Sequence, residues 1–309
     1  MRTPFGGRPH TIRRVRPPAR PSHSELTVSQ VKIVTDSNAY LPNPDLIEEL
    51  GIEVVPLTAR IGGHSYPERV NVTDESFLKK LAKDPQGAEI VTPTVAQMRD
   101  LFQRLGESND RIVCIHSSGS LNGMAEVSRQ AASGFMGRQR IVVLDTLTTS
   151  AGVGMIAEAA ARAAAADAPQ AEVVRIVRGM IPRMYALFFS DTLEYLETWD
   201  RLGPAQTMLG TMLGVKPIAT MEDGDLIPVE KVRSYGRAVD KLYEFVAEFS
   251  RINQLHLIQH DFETEAAQLL ERLETIYPNR EFPVIGYAPS LAIHIGPKAM
   301  GVVVYEGIR

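Results

Sequence analysis

Short runs of β-branched residues recur along this chain, most of them followed by a serine, threonine or aspartate turn and then by a helical pattern. That alternation constrains the fold more than any other feature. Strands separated by helices pair in parallel, and the helices cover both faces of the sheet. Val31 to Thr35 is the first such run, ending in Asp36, Ser37 and Asn38. Asn43, Pro44 and Asp45 open a short helix that closes at Gly51, and Ile52 to Leu57 reads as the next strand. Thr73 to Ser76 resembles an N-cap with an acidic first turn, leading a helix to Leu81. After Thr94, residues Val95, Met98, Leu101, Phe102 and Leu105 share one helical face. Ile112 to Ile115 and Ile141 to Leu144 are strands, followed by helices running into Ala132 and over residues 151–166.

The second half has a different texture. Ala186 to Phe189 is strand-like, a short helical region surrounds Leu193 to Leu196, and Pro204 to Leu213 reads as a helix. Gly214 to Thr220 and Leu226 to Lys231 flank Glu222, Asp223, Gly224 and Asp225, a hairpin signal. A helix over 234–251, a strand at Leu255 to Gln259, a helix from Thr264 to Ile276, and strands at Val284 to Tyr287 and Val302 to Tyr305 complete an α/β unit. The expected organisation is a tail over 1–28, one α/β domain over 29–183 and a second over 184–309, with no repeat.

Composition narrows the class. A hydrophobic share of 44% with 23% charged residues is that of a soluble globular protein. No apolar run approaches the roughly 20 residues that span a bilayer, and the arginine-bearing N-terminus has no apolar signal-peptide core. Cys114 is the one cysteine, so no internal disulfide exists, and its apolar neighbours suit a buried thiol. A cytoplasmic setting is expected. The net charge of −4 conceals an asymmetry: six arginines against Glu25 give residues 1–28 a net +5 and leave −9 for the rest. The proline-rich segment reads as a disordered tail, compatible with a transient membrane contact, and an acidic body disfavours specific nucleic-acid binding.

Candidate chemistry lies in the turns. Asp36 and Ser37, Thr92 and Thr94, Ser117, Ser118 and Ser120, and Thr146 to Ser150 all fall where strands give way to helices. In an open parallel sheet those junctions share the carboxyl edge, where ligands bind, although serine and threonine there are also ordinary helix caps. His294 stands between apolar residues ahead of Gly296 and Pro297; it suits either a satisfied core position or a donor to a carboxylate. His116 precedes the serines and suits a loop-orienting or strand-ending role. There is no nucleophile elbow and no phosphate-binding P-loop. The glycines at 152 and 154 fit helix packing better than a dinucleotide turn, and no zinc-ligand spacing occurs. A triad of Ser118, His294 and Asp36 is conceivable, and nothing local supports it.

Six segments taken together resemble the DegV family of fatty-acid-binding proteins. They are Ile33 to Ser37, Val54 to Leu57, His116 to Gly123, Asp191 to Leu196, Gly214 to Ile218, and His294 to Pro297. The resemblance runs from about Val31 to the C-terminus. It implies a two-domain α/β fold, a parallel-sheet domain followed by a second α/β domain, with the lipid held between them. It implies that the lipid carboxylate is held by a threonine, a serine and the histidine before Gly-Pro. Ser118 and His294 match two of these. Ile90 stands at the usual threonine position, so Thr92 or Thr94 supplies that hydroxyl. Gly119 and Asn122 replace serines common in the family, Trp199 and Asp200 precede a retained Arg201, and Lys298 stands at a position that is commonly glycine. Asp36, Ser37, Ser117, Gly119 and Arg201 would form the supporting loops.

What the resemblance implies is therefore a monomeric carrier without catalytic residues, metal or cofactor. It would bind one long-chain fatty acid such as palmitate, stearate or oleate. It would present the carboxylate to a fatty acid kinase subunit with a dihydroxyacetone-kinase-like domain, feeding phospholipid synthesis. The alternative is a serine hydrolase or esterase using Ser118 and His294.

Overall fold

The computed structural model describes residues 31–41, 43–69, 72–135, 137, 140–192, 194–197 and 214–307. The basic tail over 1–28, Arg201 and the helix expected over Pro204 to Leu213 lie outside them. β1 (Lys32–Asp36), β2 (Glu53–Val55), β6 (Arg111–His116) and β7 (Arg140–Asp145) form a parallel sheet in the order β2-β1-β6-β7. Side chains alternate across a strand, so one β-branched run serves two cores. Ile33, Val113 and Ile115 pack with α6 (Ala151–Ala165) and α7 (Gln170–Met180). Val34, Ile112 and Cys114 pack with α3 (Val95–Gly106) and α5 (Met124–Ala132). The helices thus cover both faces, as the alternating sequence implies.

A six-stranded sheet begins at Met184. It contains β8 (Met184–Ser190), β9 (Lys216–Glu222), β10 (Asp225–Val232), β11 (Ile252–His260), β12 (Val284–Ile285) and β13 (Ala299–Glu306). The order is β10-β9-β8-β13-β11-β12, antiparallel throughout except for the β11–β12 pair. One face is covered by α9 (Tyr235–Ala247) and α10 (Glu263–Ile276) through Phe189, Leu242, Leu257 and Leu269. From the other face Ala186, Phe188, Ile258 and Val303 enter the same cluster as Ile33 and Ile115. A continuous apolar core therefore joins the two sheets.

Three departures from the sequence reading bear on the site. Ile52 to Leu57 is not one strand: β2 ends at Val55, Pro56 has no N–H to continue a ladder, and the Leu57 N–H is taken by the Ser37 hydroxyl at 2.8 Å. The chain then forms a small antiparallel sheet of β3 (Thr58–Ile61), β4 (His64–Pro67) and β5 (Ala88–Val91). Its hairpin turns at Gly62 and Gly63, with φ of 55° and 74°, a pair of left-handed positions that glycine adopts at little cost. The cap of α2 (Glu75–Leu81) is Asp74, whose carboxylate accepts from the Ser76 and Phe77 amides, while the Thr73 hydroxyl donates to the Tyr287 carbonyl. The third is an extra helix, α11 (Pro289–Ile295), which carries His294. Among the described residues, no helix is long and apolar enough to cross a membrane.

Candidate functional site

The parallel strands β1, β6 and β7 all end at one edge, in Asp36, His116 and Asp145. Asp36 is fully buried there and works as a hub. It accepts from the Ser117 amide at 2.9 Å, the Ser117 hydroxyl at 3.0 Å and the Asn38 amide at 3.1 Å, and it lies 3.2 Å from His116 Nδ1. His116 Nε2 reaches the Ser128 hydroxyl at 2.8 Å. Asp36, His116 and Ser128 thus line up as carboxylate, imidazole and hydroxyl. All three are closed to solvent, so the line braces the loop rather than meeting a substrate.

Ser118 is buried between the two sheets. Its amide donates to the Thr148 carbonyl at 2.8 Å, and its hydroxyl donates to the Gly224 carbonyl at 2.5 Å. Gly224 sits in the β9–β10 turn with φ of 90°. A Cβ at Gly224 would stand 2.7 Å from the Ser118 hydroxyl oxygen, so the close approach requires glycine. Gly119 is equally constrained: its amide donates to Asp145 Oδ2 at 3.1 Å, and a Cβ would lie 2.7 Å from that oxygen. Asn122 donates to the Ser117 hydroxyl at 2.7 Å and accepts the Met124 amide at 2.9 Å, which gives this departure from the family pattern a local role.

His294 occupies the last turn of α11 and points at the serine loop, its Nε2 donating to the Leu121 carbonyl at 3.2 Å. The ring is half-buried by accessible surface, yet burial pushes its pKa down to about 4 against the opposing Leu121 bond. The imidazole is therefore neutral near pH 7. Ser118 and His294, distant in sequence, are drawn to opposite sides of one short loop.

Glu68 is a residue the sequence reading did not single out. It is 5% exposed, and its carboxylate accepts from the Ser37 hydroxyl at 2.9 Å, the Ser290 amide at 2.5 Å and the Ser290 hydroxyl at 3.1 Å. Asn38 donates to the same Ser290 hydroxyl at 2.9 Å. Glu68 and Asn38 thereby tie the start of α11 to the end of β1. Burial pushes the Glu68 pKa up to about 7, with the Ser37 and Ser290 bonds opposing and the Asp36 charge adding to the rise. No local pattern around Glu68 marks it; only its distant partners do.

The remaining expected residues separate by environment. Ser37 bridges Glu68 and the Leu57 amide. Thr94 is exposed and forms a capping box with Gln97 at the start of α3, a structural use of its hydroxyl. Thr92 is half-buried just past β5, a strand that packs against α11. Ser150 and Ser190 have buried hydroxyls without a hydrogen-bond partner, at the edge of the same region, and Ser150 holds φ of 51°. Strain and unpaired hydroxyls gathered at one edge are what a ligand site stores. Among the described residues, no group of three or more His, Cys, Asp or Glu is placed to hold a metal ion.

A sequence profile of the DegV family, described as uncharacterised proteins, matches residues 30–307. The chain belongs to the DegV family. A DegV domain-containing protein of Caldanaerobacter subterraneus subsp. tengcongensis is 32% identical over 283 residues, covering 89% of this chain and 98% of that one. The fatty-acid-binding DegV family protein of Thermus thermophilus superposes with a TM-score of 0.77 at 26% identity, covering 90% of this chain and all of that one. The fatty acid kinase B3 protein of Streptococcus pneumoniae, solved with linoleic acid, shares the fold with a TM-score of 0.76 at 16% identity, over 90% of this chain. The DegV fold therefore accounts for both sheets.

Proposed function

We propose that this DegV chain is a carrier that binds one long-chain fatty acid between its two sheets, over domains of about 29–183 and 184–309. The carrying observation is the contact of His294 with the Leu121 carbonyl, which brings the histidine of one unit to the serine loop of the other. Ser118, His294 and Thr92 are the proposed carboxylate ligands, with Asp36, Ser37, Ser117 and Gly119 holding the loops that present them. The Thermus thermophilus relative, a fatty-acid-binding protein, supports the ligand class.

The energetics suit such a ligand. Each buried methylene contributes about 0.8 kcal/mol, so a long acyl chain supplies most of the affinity. The hydroxyls and the imidazole then fix orientation and satisfy a carboxylate that would be costly to bury unpaired. The geometry disfavours a hydrolase. Ser118 donates to a carbonyl rather than to a base, while His116 turns to Asp36 and Ser128. In this reading the chain has no chemistry of its own. It works as a cytoplasmic monomer and hands the carboxylate to a fatty acid kinase subunit. The fold it shares with the Streptococcus pneumoniae kinase B3 protein supports that partnership by likeness of architecture alone.

Native mass spectrometry of the purified chain, followed by denaturing extraction, tests the proposal. One fatty acid per chain is expected, lost on combined Ser118→Ala and His294→Ala substitution. A chain that is empty and takes up no added fatty acid overturns the carrier reading, and rapid labelling of Ser118 by a fluorophosphonate would favour the hydrolase.

A further inference from the structure

A second cleft, of about 620 Å³, lies at the other end of the seam between the two sheets, bounded by α6, α7 and the outer ends of β11 and β13. Along α6 the lining residues Glu158 and Arg162 stand about 12–18 Å from Ser150, which marks the hydroxyl edge. Nothing in the proposed carrier function uses this place.

Its charges are unbalanced. Glu158 and three arginines, Arg162, Arg175 and Arg183, line it. Arg162 pairs with Glu158 at 2.8 Å and Arg175 with Glu172 at 2.5 Å, and the two arginine side chains remain 56% and 73% exposed at the rim. Arg183 differs from both. It makes no ion pair or hydrogen bond to the described residues, and its Nη1 is buried without a partner. The Arg183 guanidinium keeps its charge at any working pH, and its half-buried side chain lines the cleft with no carboxylate of the described residues already on it, so it offers an anion an unpaired cation. Arg183 also closes the single turn Ile181–Arg183 immediately before β8, which fixes its backbone. The apolar part of its lining is Met155, Ile176, Met180 and Tyr305, with Asn253 and Gln254 at the strand ends.

We propose that this cleft binds a small amphipathic anion, its carboxylate or phosphate on Arg183 and its apolar body on Met155, Ile176, Met180 and Tyr305. The volume is that of a ligand pocket, and a few polar groups beside an apolar lining is the usual division of labour in one. The planar guanidinium suits either head group, since both offer two oxygens in its plane. The site is independent of the fatty-acid reading, because its residues and its end of the seam are different.

The test is isothermal titration of the full-length chain carrying Ser118→Ala and His294→Ala, which removes two of the three proposed head-group ligands of the first site. Octyl phosphate, octanoate and inorganic phosphate are the probes. Saturable binding of one octyl phosphate or octanoate per chain is expected, at least tenfold tighter than inorganic phosphate. Which of the two octyl probes binds more tightly identifies the head group. Adding Arg183→Gln should weaken binding at least tenfold. Gly179→Glu gives a second variant in case the first misfolds. Gly179 lines the cleft, a Cβ there meets no atom within 4 Å, and the new carboxylate would compete for Arg183. No saturable binding of either octyl probe, or binding untouched by both Arg183→Gln and Gly179→Glu, overturns the site. Inorganic phosphate binding as tightly as octyl phosphate overturns the amphipathic assignment.

Discussion

Replacing Glu68 with glutamine leaves the shape of the latch between β1 and α11 and removes its ability to ionise. In the folded chain the carboxyl has a pKa of about 7, against 4.5 ordinarily, because burial outweighs the Ser37 and Ser290 hydrogen bonds. Between those two values the folded state keeps a proton that the unfolded state has released. Stability contributed by this group therefore falls as pH rises from about 4.5 to about 7, and levels off above. Taking about 1.36 kcal/mol per unit, the full penalty is about 3 kcal/mol, most of which accrues between pH 5 and pH 8. The buried imidazoles of His256 and His294, both pushed down to about 4 by burial, titrate in the opposite sense over part of that range. The informative quantity is thus the difference between wild type and variant, in which the histidine contributions cancel. Equilibrium urea unfolding followed by far-ultraviolet circular dichroism at pH 5, 6, 7 and 8 provides it, with unchanged m as the control. The advantage of Glu68→Gln should grow by about 2–3 kcal/mol from pH 5 to pH 8. A difference that stays flat across that range refutes the reasoning, since the carboxyl would then titrate alike in both states.

Three further outcomes follow from the same contacts. His294 is neutral with its Nε2–H on Leu121, so a bound carboxylate should recruit a proton to the site; fatty-acid affinity then falls as pH rises, and titrations in buffers of different ionisation enthalpy should show proton uptake. Gly154→Ala should destabilise the chain by about 3 kcal/mol or more in thermal or urea unfolding, because the new Cβ would stand 2.0 Å from the Tyr40 carbonyl oxygen, far inside contact distance. Cys114 is fully buried with its thiol pKa pushed up by burial, so Ellman's reagent should label it only as fast as the chain unfolds.

How much was legible beforehand depends on how local the signal is. The strand at Ile112 to Ile115, the helix after Thr94 and the 222–225 turn all carry their patterns within a dozen residues, and each stands where expected in β6, α3 and the β9–β10 hairpin. The paired glycines at 62 and 63 are an equally local signal for the β3–β4 hairpin. Helix α11 lacks such a local signature: it spans only Pro289–Ile295, and the partners that hold its start lie elsewhere in the chain. Those partners, Glu68 and Asn38, are 222 and 252 residues away from Ser290.

Taken alone, the sequence determined the alternation of strands and helices, the hydroxyl-rich turns at the strand ends, and the family, because these depend on side-chain period and on residues close together in the chain. Only the tertiary structure decided the partner each hydroxyl meets. Thr94 caps a helix, Ser37 and Ser117 brace buried carboxylates, and Ser118 meets the Gly224 carbonyl from across the seam. Hydrogen bonds and desolvation depend on what packs against a group, and for Glu68, His294 and Arg183 those neighbours come from distant parts of the chain.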